Sequence, residues 1–481
     1  MVYRPPEQED IDLSKLNTSA ADMYSLFCSQ REASNQAWIW VDVRDVALAS
    51  VLALARMPVS VESESPAASN QRYLISCGPY SAQQFLDYIW HPERAKAKNI
   101  SKGTPGKLYP EEGTYTSDNS KSKKDLGLTY RNLDTMMDVL LTGANGFLGY
   151  QITKSLLERG HTVVGTVRSE SKTKYLKEKF SKFISEDEAR LKFAVVEDIA
   201  TPGSFDEVLK TYQFDAVIHS SSPFITDVKD VEEDLYRPAI QGTLGILESI
   251  KANAPTVKRV VVTSSFAAVN DLTKGQRPEH TYTEEDWSPI TREDGLENPR
   301  AGYTASKKLA EEAAWNFVKT KNPGFALTTI CPPMIYGPPE QETGGLSALN
   351  TSAAEIYAYF CGTREPANRV WLWVDVRDVA LAHVLAAEST AANNQRYLVT
   401  AGNYSAQQFS DYIWKYYPER AASRNISKGT PGQLYPERGV YKADNSKSKK
   451  DLGLAYRNLE TTLKDMLGRF EEIETETGAN A

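Results

Sequence analysis

The chain repeats itself, and no other feature of its 481 residues limits the fold as strongly. "MVYRPPEQE" at Met1 returns as "MIYGPPEQE" at Met334. "WIWVDVRDVALA" at Trp38 returns as "WLWVDVRDVALA" at Trp371. The 35 residues from Asn99 return from Asn425 with six differences. Residues 1–135 are therefore a near-copy of roughly 334–461. The unit is longer than a solenoid repeat of about 20–50 residues, and it occurs only twice. Register shifts near "MPVSVESESPAASN" and at "IWHPER" against "IWKYYPER" read as surface-loop length changes, which cost little. The order is B–A–B, with A, about 138–333, present once.

Composition sets the class. The chain is 41% hydrophobic and 25% charged, ordinary for a soluble protein with a large core. Its length suits roughly three domains at ~150 residues each. A net charge of −8 argues against a nucleic-acid surface. No apolar run approaches the ~18–20 residues that span a bilayer, so no membrane is expected. "MVYRPPEQEDID" has neither a basic nor an apolar leader region, and the cytoplasm is the expected place. Cys28, Cys77, Cys331 and Cys361 form no CxxC. They read as small buried hydrophobes, and no metal site is expected.

Segment A carries the chemistry. "DVLLTG" reads as a buried strand and "FLGYQITKSLLERG" as a helix stopped at Gly160. Between them, Gly143, Gly146 and Gly149 are spaced GxxGxxG, and "HTVVGTVR" is a second strand. Strand, glycine turn, helix and strand set a pyrophosphate at a helix N-terminus, where side chains would block its approach to backbone N–H groups. Asn145, Phe147 and Leu148 fill the turn between the glycines. NAD-preferring units usually carry an acid after the second strand, to hold a ribose hydroxyl. Here Arg168 and Lys172 stand in "TVRSESKTK". Those cations suit a 2′-phosphate, so NADP(H) is expected over NAD(H); a solvated basic loop is the alternative. "FAVVEDIA", "FDAVIHSSSPF" and "VKRVVVTSSFAAV" supply three more strands, which predicts an α/β, doubly wound parallel sheet of Rossmann type. Asp198 then stands where the adenine ring would lie. In "YTASKKLAEEAAW", Tyr303 and Lys307 are four apart and share a helix face. A nearby ammonium is expected to bring the Tyr303 phenol closer to working range.

In order, "TGANGFLG", "VVGTVRS", "EDIA", "IHSSSPF", "VVTSSFAAV", "YTASK" and "PPMIYGPP" resemble the extended short-chain dehydrogenase/reductase superfamily. More narrowly, they resemble its dihydroflavonol-reductase-like branch, with the fungal NADPH-dependent methylglyoxal and aldehyde/ketone reductases. The resemblance covers about 138–470. It implies a catalytic set of Ser265, rather than Ser264, with Tyr303 and Lys307. It implies that Arg168 and Lys172 meet the 2′-phosphate and that Asp198 with Ile199 meets the adenine. It places Pro332 beside the nicotinamide. A small-molecule carbonyl is the implied substrate. The usual "NP" before "YGP" is "CPP" here, so Cys331 and Pro333 alter the pocket next to the nicotinamide. Phe224, Met334 and Tyr336 are the expected substrate-pocket wall, with core packing as the alternative.

Segment B has no glycine finger, no catalytic serine and no YxxxK. By resemblance it supplies a smaller substrate lobe and the last elements of the sheet. Residues 137–333 are expected to be the dinucleotide-binding domain with the catalytic residues. Residues 334–470 are the substrate lobe, and 471–481 a disordered polar tail. Residues 1–136 read as a truncated duplicate fused in front, without cofactor or catalytic motifs. Met137 is then the start of a complete reductase. Two further readings stay open: the front copy is a docking or regulatory module, or the join arises in gene prediction. Monomer and dimer are equally compatible with the sequence.

Overall fold

The computed structural model describes Val2–Tyr3, Ile39–Asp42, Gly78–Pro79 and residues 137–478 other than 185–189, 223–227 and 369. The chain divides into two units, Met1–Met136 and Met137–Ala481.

In the first unit, β1 (Val2–Tyr3) pairs in parallel with β2 (Ile39–Asp42), Val2 facing Val41 and Tyr3 facing Asp42. β3 (Gly78–Pro79) runs antiparallel to β2, with Trp40 facing Gly78.

The second unit is built on a seven-stranded parallel sheet. Its strands are β4 (Asp138–Thr142), β5 (Thr162–Val167), β6 (Leu191–Val195), β7 (Ala216–His219), β8 (Arg259–Thr263), β10 (Ala326–Cys331) and β13 (Gln395–Leu398). Across the sheet they run β13-β10-β8-β7-β4-β5-β6. Val139, Leu140 and Leu141 of β4 are fully buried, as an apolar strand covered on both faces requires. One face is covered by α1 (Phe147–Glu158) and a later helix, α5 (Val376–Glu388), with Ile152, Leu156, Val379 and Val384 in its core. The other face is covered by α2 (Arg237–Asn253) and α3 (Pro299–Lys321), with Ile246, Leu247, Ala314 and Phe317 in its core. The chain order reverses direction between β4 and β7, which is where such sheets open a ligand crevice.

The smaller lobe follows β10. β11 (Met334–Tyr336), β12 (Leu372–Asp375) and β14 (Gly402–Asn403) form its sheet. Here Ile335 faces Val374, Tyr336 faces Asp375, and Trp373 faces Gly402. Aligned on the repeat, these are the pairings of β1, β2 and β3. Helices α4 (Thr351–Phe360), α6 (Ala406–Tyr416) and α7 (Leu459–Thr477) close over that sheet. Their core holds Tyr359, Phe360, Phe409, Met466 and Phe470. A two-stranded pair, β9 (Thr281–Tyr282) with β15 (Lys442–Ala443), ties the two halves together. Segment 334–470 thus returns to the large sheet through α5 and β13.

The tail corrects an expectation. Residues 471–477 continue α7 instead of fraying. Ile473 and Glu474 are buried at 1% exposure, and Glu474 pairs with Arg420 and accepts from the Tyr357 hydroxyl at 3.0 Å. The polar letters hide one apolar and one paired position on the inner face. Residues 479–481 lie outside the described residues.

Candidate active site

The crevice starts at the end of β4. Gly143 has φ +71°, and a Cβ there would lie 2.7 Å from Ser221 Oγ. A Cβ on Gly149 would lie 2.0 Å from the Gly143 carbonyl oxygen. Only glycine lets this turn close so tightly. Gly146 caps α1 with no side-chain hydrogen bond, and no acid stands in the first turn. The open amides and the positive helix end suit an anion. Asn145, Phe147 and Leu148 are half-buried around this end. The cradle fits a dinucleotide pyrophosphate.

The expected adenosine contacts lie at the ends of the next two strands. Arg168 follows Val167 directly, is exposed, and holds no side chain among the described residues. Lys172 is exposed 3.4 Å from Glu342, itself exposed, a pair weak enough to yield to a phosphate. Asp198 folds its own turn, Oδ1 accepting from the Ala200 N–H at 2.9 Å and Oδ2 from the Thr201 hydroxyl at 3.0 Å. Ile199 packs on Gly242, where a Cβ would come within 3.0 Å.

The reacting groups converge from β7, β8 and α3. Thr142 organises the floor. Its hydroxyl accepts from the Ser220 and Ser221 N–H groups at 3.1 Å each and bonds His219 Nδ1 at 2.9 Å. Burial and the Lys307 charge push His219 down to about 3, so its ring is neutral. This clamp brings Ser222 to α3, where Lys307 Nζ donates to Ser222 Oγ at 2.7 Å. Burial lowers Lys307 to about 8.

The two serines after β8 separate cleanly. Ser264 is buried and donates to Glu311 Oε2 at 2.6 Å. Ser265 is half-buried and accepts from the Ala267 N–H at 3.1 Å, and its hydroxyl lies close enough to the Tyr303 phenol to oppose the rise that burial causes there. The Phe266 N–H donates to the Pro332 carbonyl at 2.9 Å, which fixes Pro332 beside the serine turn. Ser265, Tyr303 and Lys307 therefore share one site, bordered by Pro332.

The phenol behaves differently from expectation. Burial pushes Tyr303 above its ordinary value, and the nearby Ser265 hydroxyl opposes that rise. Lys307 Nζ donates to Ser222 and stands 5.8 Å from the Tyr303 ring centre, within reach of a cation–π contact.

Of the expected pocket wall, Met334 is half-buried against the small-lobe core. Tyr336 is in that core at 1% exposure, its hydroxyl 2.9 Å from that of Tyr404, so it does not face open space. Aromatic packing against Phe409 takes it inward. Phe224 lies outside the described residues. Cys331 is buried and free, its thiol raised chiefly by burial, and Cys361 is half-buried and free. Cys28 and Cys77 lie outside the described residues. Among the described residues no cluster of His, Cys, Asp and Glu suits a metal, and no helix is long and apolar enough to cross a membrane.

Sequence reasoning missed Thr142, Ser222, Glu311 and Arg396. The serine run of "IHSSSPF" was the one available signal for Ser222.

The family model described as "NAD dependent epimerase/dehydratase family" matches residues 139–400. The ketoreductase azaE of Aspergillus niger is 41% identical over 332 residues, covering 68% of this chain and 95% of that protein. The NADPH-dependent methylglyoxal reductase GRE2 of Saccharomyces cerevisiae is 34% identical over 347 residues, covering 70% and 99%. The crystal structure of yeast methylglyoxal/isovaleraldehyde reductase Gre2 complexed with NADPH superposes with a TM-score of 0.64 at 34% identity, covering 70% of this chain and 99% of that one.

Proposed function

The chain belongs to the NAD dependent epimerase/dehydratase family, and from that footing we propose that it reduces small aldehydes and ketones with NADPH. The observation that carries this reading is the convergence of Ser265, Tyr303 and Lys307 beside an uncapped glycine cradle. The similarity to NADPH-dependent methylglyoxal and isovaleraldehyde reductases supports a small carbonyl as substrate. Arg168 supports NADPH over NADH.

NADPH, when bound, would supply the hydride for the carbonyl carbon. Tyr303 donates its phenolic proton to the carbonyl oxygen as that oxygen gains charge. A phenol held protonated by burial suits this direction, because the forming alkoxide is far more basic than any phenolate. Ser265 donates to the same oxygen and fixes its place. Lys307, held by Ser222, keeps a positive charge near the phenolate left behind and would hold the ribose of the bound dinucleotide. Asp198 and Ile199 would border the adenine of the bound dinucleotide, and Pro332 its nicotinamide. The test is NADPH consumption with small dicarbonyls and aliphatic aldehydes; a Tyr303→Phe variant with full activity sinks the mechanism.

We further propose that 137–475 is the whole reductase and that 1–136 is a truncated, non-catalytic duplicate. The matching strand register of β1–β3 and β11, β12 and β14 supports the second statement. The cytosol is the proposed place of action, tested by cell fractionation. Docking of the front copy on the reductase is the competing reading. Removing 1–136 distinguishes them: a changed oligomeric state or turnover favours docking. Sequencing the transcript across residues 120–150 tests whether the join exists in the cell.

A further inference from the structure

Glu311 lies one turn beyond Lys307 on α3 and takes no part in the proton chemistry above. It is 2% exposed. Its Oε1 accepts from Arg396 Nε at 2.8 Å and from the Thr329 hydroxyl at 2.7 Å. Its Oε2 accepts from Arg396 Nη2 at 3.1 Å and from Ser264 Oγ at 2.6 Å. Burial opposes its charge, yet Arg396 and the two hydroxyls hold the carboxyl below its ordinary value.

Arg396 arrives from β13, in the rear copy of the repeat, and is 7% exposed. Its Nη1 donates to the carbonyls of Glu284 at 2.9 Å and Asp286 at 2.5 Å. Its Nη2 also donates to the Ala268 carbonyl at 3.2 Å, at the end of the turn that Ser265 caps. The guanidinium lies 3.8 Å over the Trp287 ring. One buried pair thus joins the catalytic helix, both ends of the serine turn, and β10 two residues before Cys331.

A buried ion pair is a poor source of stability, since apolar residues of similar volume often serve as well. Its geometry matters more here. By engaging Ser264 and Ala268 it anchors the turn that carries Ser265 at both ends.

We propose that the Glu311–Arg396 pair is a positioning element that aims Ser265 at Tyr303. It touches neither substrate nor cofactor. The activity arm of its test rests on the carbonyl-reductase reading; the structural arm does not.

The test compares Glu311→Gln, the apolar double variant Glu311→Met/Arg396→Met, and Ser264→Ala. In Glu311→Gln, kcat falls about 100-fold, the size expected of a misplaced reacting group, while KM for NADPH stays within about 3-fold. The double variant regains thermal stability but not kcat. In its crystal structure, Ser265 Oγ stands outside hydrogen-bonding distance of the Tyr303 hydroxyl. Ser264→Ala, which removes one bond to the buried carboxylate, lowers kcat about 10-fold and the melting temperature by only a few degrees. Recovery of kcat in the double variant, or an unchanged kcat in Ser264→Ala, overturns the proposal. If the unmodified chain reduces no carbonyl, the functional reading falls, and the Ser265–Tyr303 distance in the variants still decides the positioning role.

Discussion

The rear copy holds Glu388 against Arg159 and His161, His383 against Thr263, and Gly337 at φ +144°. At the matching places the front copy has Ala55, Ser50 and Arg4. The first two of those rear-copy residues bind segment A directly. By contrast, Asp375, Arg377 and Asp378, which pair with Asp465 and Arg457 inside 334–470, survive in front as Asp42, Arg44 and Asp45. Arg396 also survives, as Arg72. The front copy then breaks off at Thr135, the counterpart of Thr461. It has no match for Leu463, Met466, Leu467 and Phe470 of α7, which fill the small-lobe core. The front copy therefore keeps the lobe's own strand register, and its sequence has no counterpart of Glu388 and His383 or of the last core helix.

That contrast can be broken or sharpened in several ways. The largest effect belongs to segment A: Tyr303→Phe should cut carbonyl reduction about 1000-fold, within the range of a positioned general acid. Loss of the whole front copy should leave kcat unchanged in the same assay. Next, Arg168→Ala should raise KM for NADPH roughly 10- to 100-fold and leave NADH almost untouched, as loss of a charge-assisted bond to one phosphate requires. Equal losses for both cofactors would remove Arg168 from the 2′-phosphate site.

Glu388→Gln should cost about 3 kcal/mol in denaturant unfolding at neutral pH, because it strands Arg159 beside a neutral amide. Burial opposes the Glu388 charge, but His161 and Arg159 together depress its carboxyl to about 2. A depressed carboxyl stabilises above its unfolded value near 4.5 and loses that contribution as pH falls through about 2. The gap between variant and parent should therefore close across that window.

Gly337→Arg, the residue present in the front copy, should cost about 2 kcal/mol. A Cβ there meets Val376 Cγ1 at 2.7 Å, in a backbone region that side chains avoid. Arg4→Gly should change neither stability of the reductase unit nor activity. The smallest effect is a pH one: Lys307, lowered by burial to about 8, should lose its charge above that pH, and kcat/KM for reduction should decline there.

The sheet was legible because it is written in local patterns. β4 to β8 are apolar runs with turn signals between them, and the Tyr303–Lys307 face needs only helical spacing. Resemblance chose Ser265 over Ser264; in the structure Ser264 donates to Glu311, a partner 47 residues away that the sequence does not announce. What stayed hidden depends on distant partners. Glu311 and Arg396 are 85 residues apart, and Thr142 meets its serines across 78 and 79. No periodicity announces such contacts. Tyr336 illustrates the same limit: its spacing after "PP" is visible, but the packing that draws it inward is set by Tyr404 and Phe409.

The central claim is that one dinucleotide site, in segment A, serves the whole chain. Calorimetric titration of the full 481-residue chain with NADPH tests it most directly. The account predicts one molecule bound per chain, with binding weakened by Arg168→Ala. Two molecules per chain, or none, would contradict it.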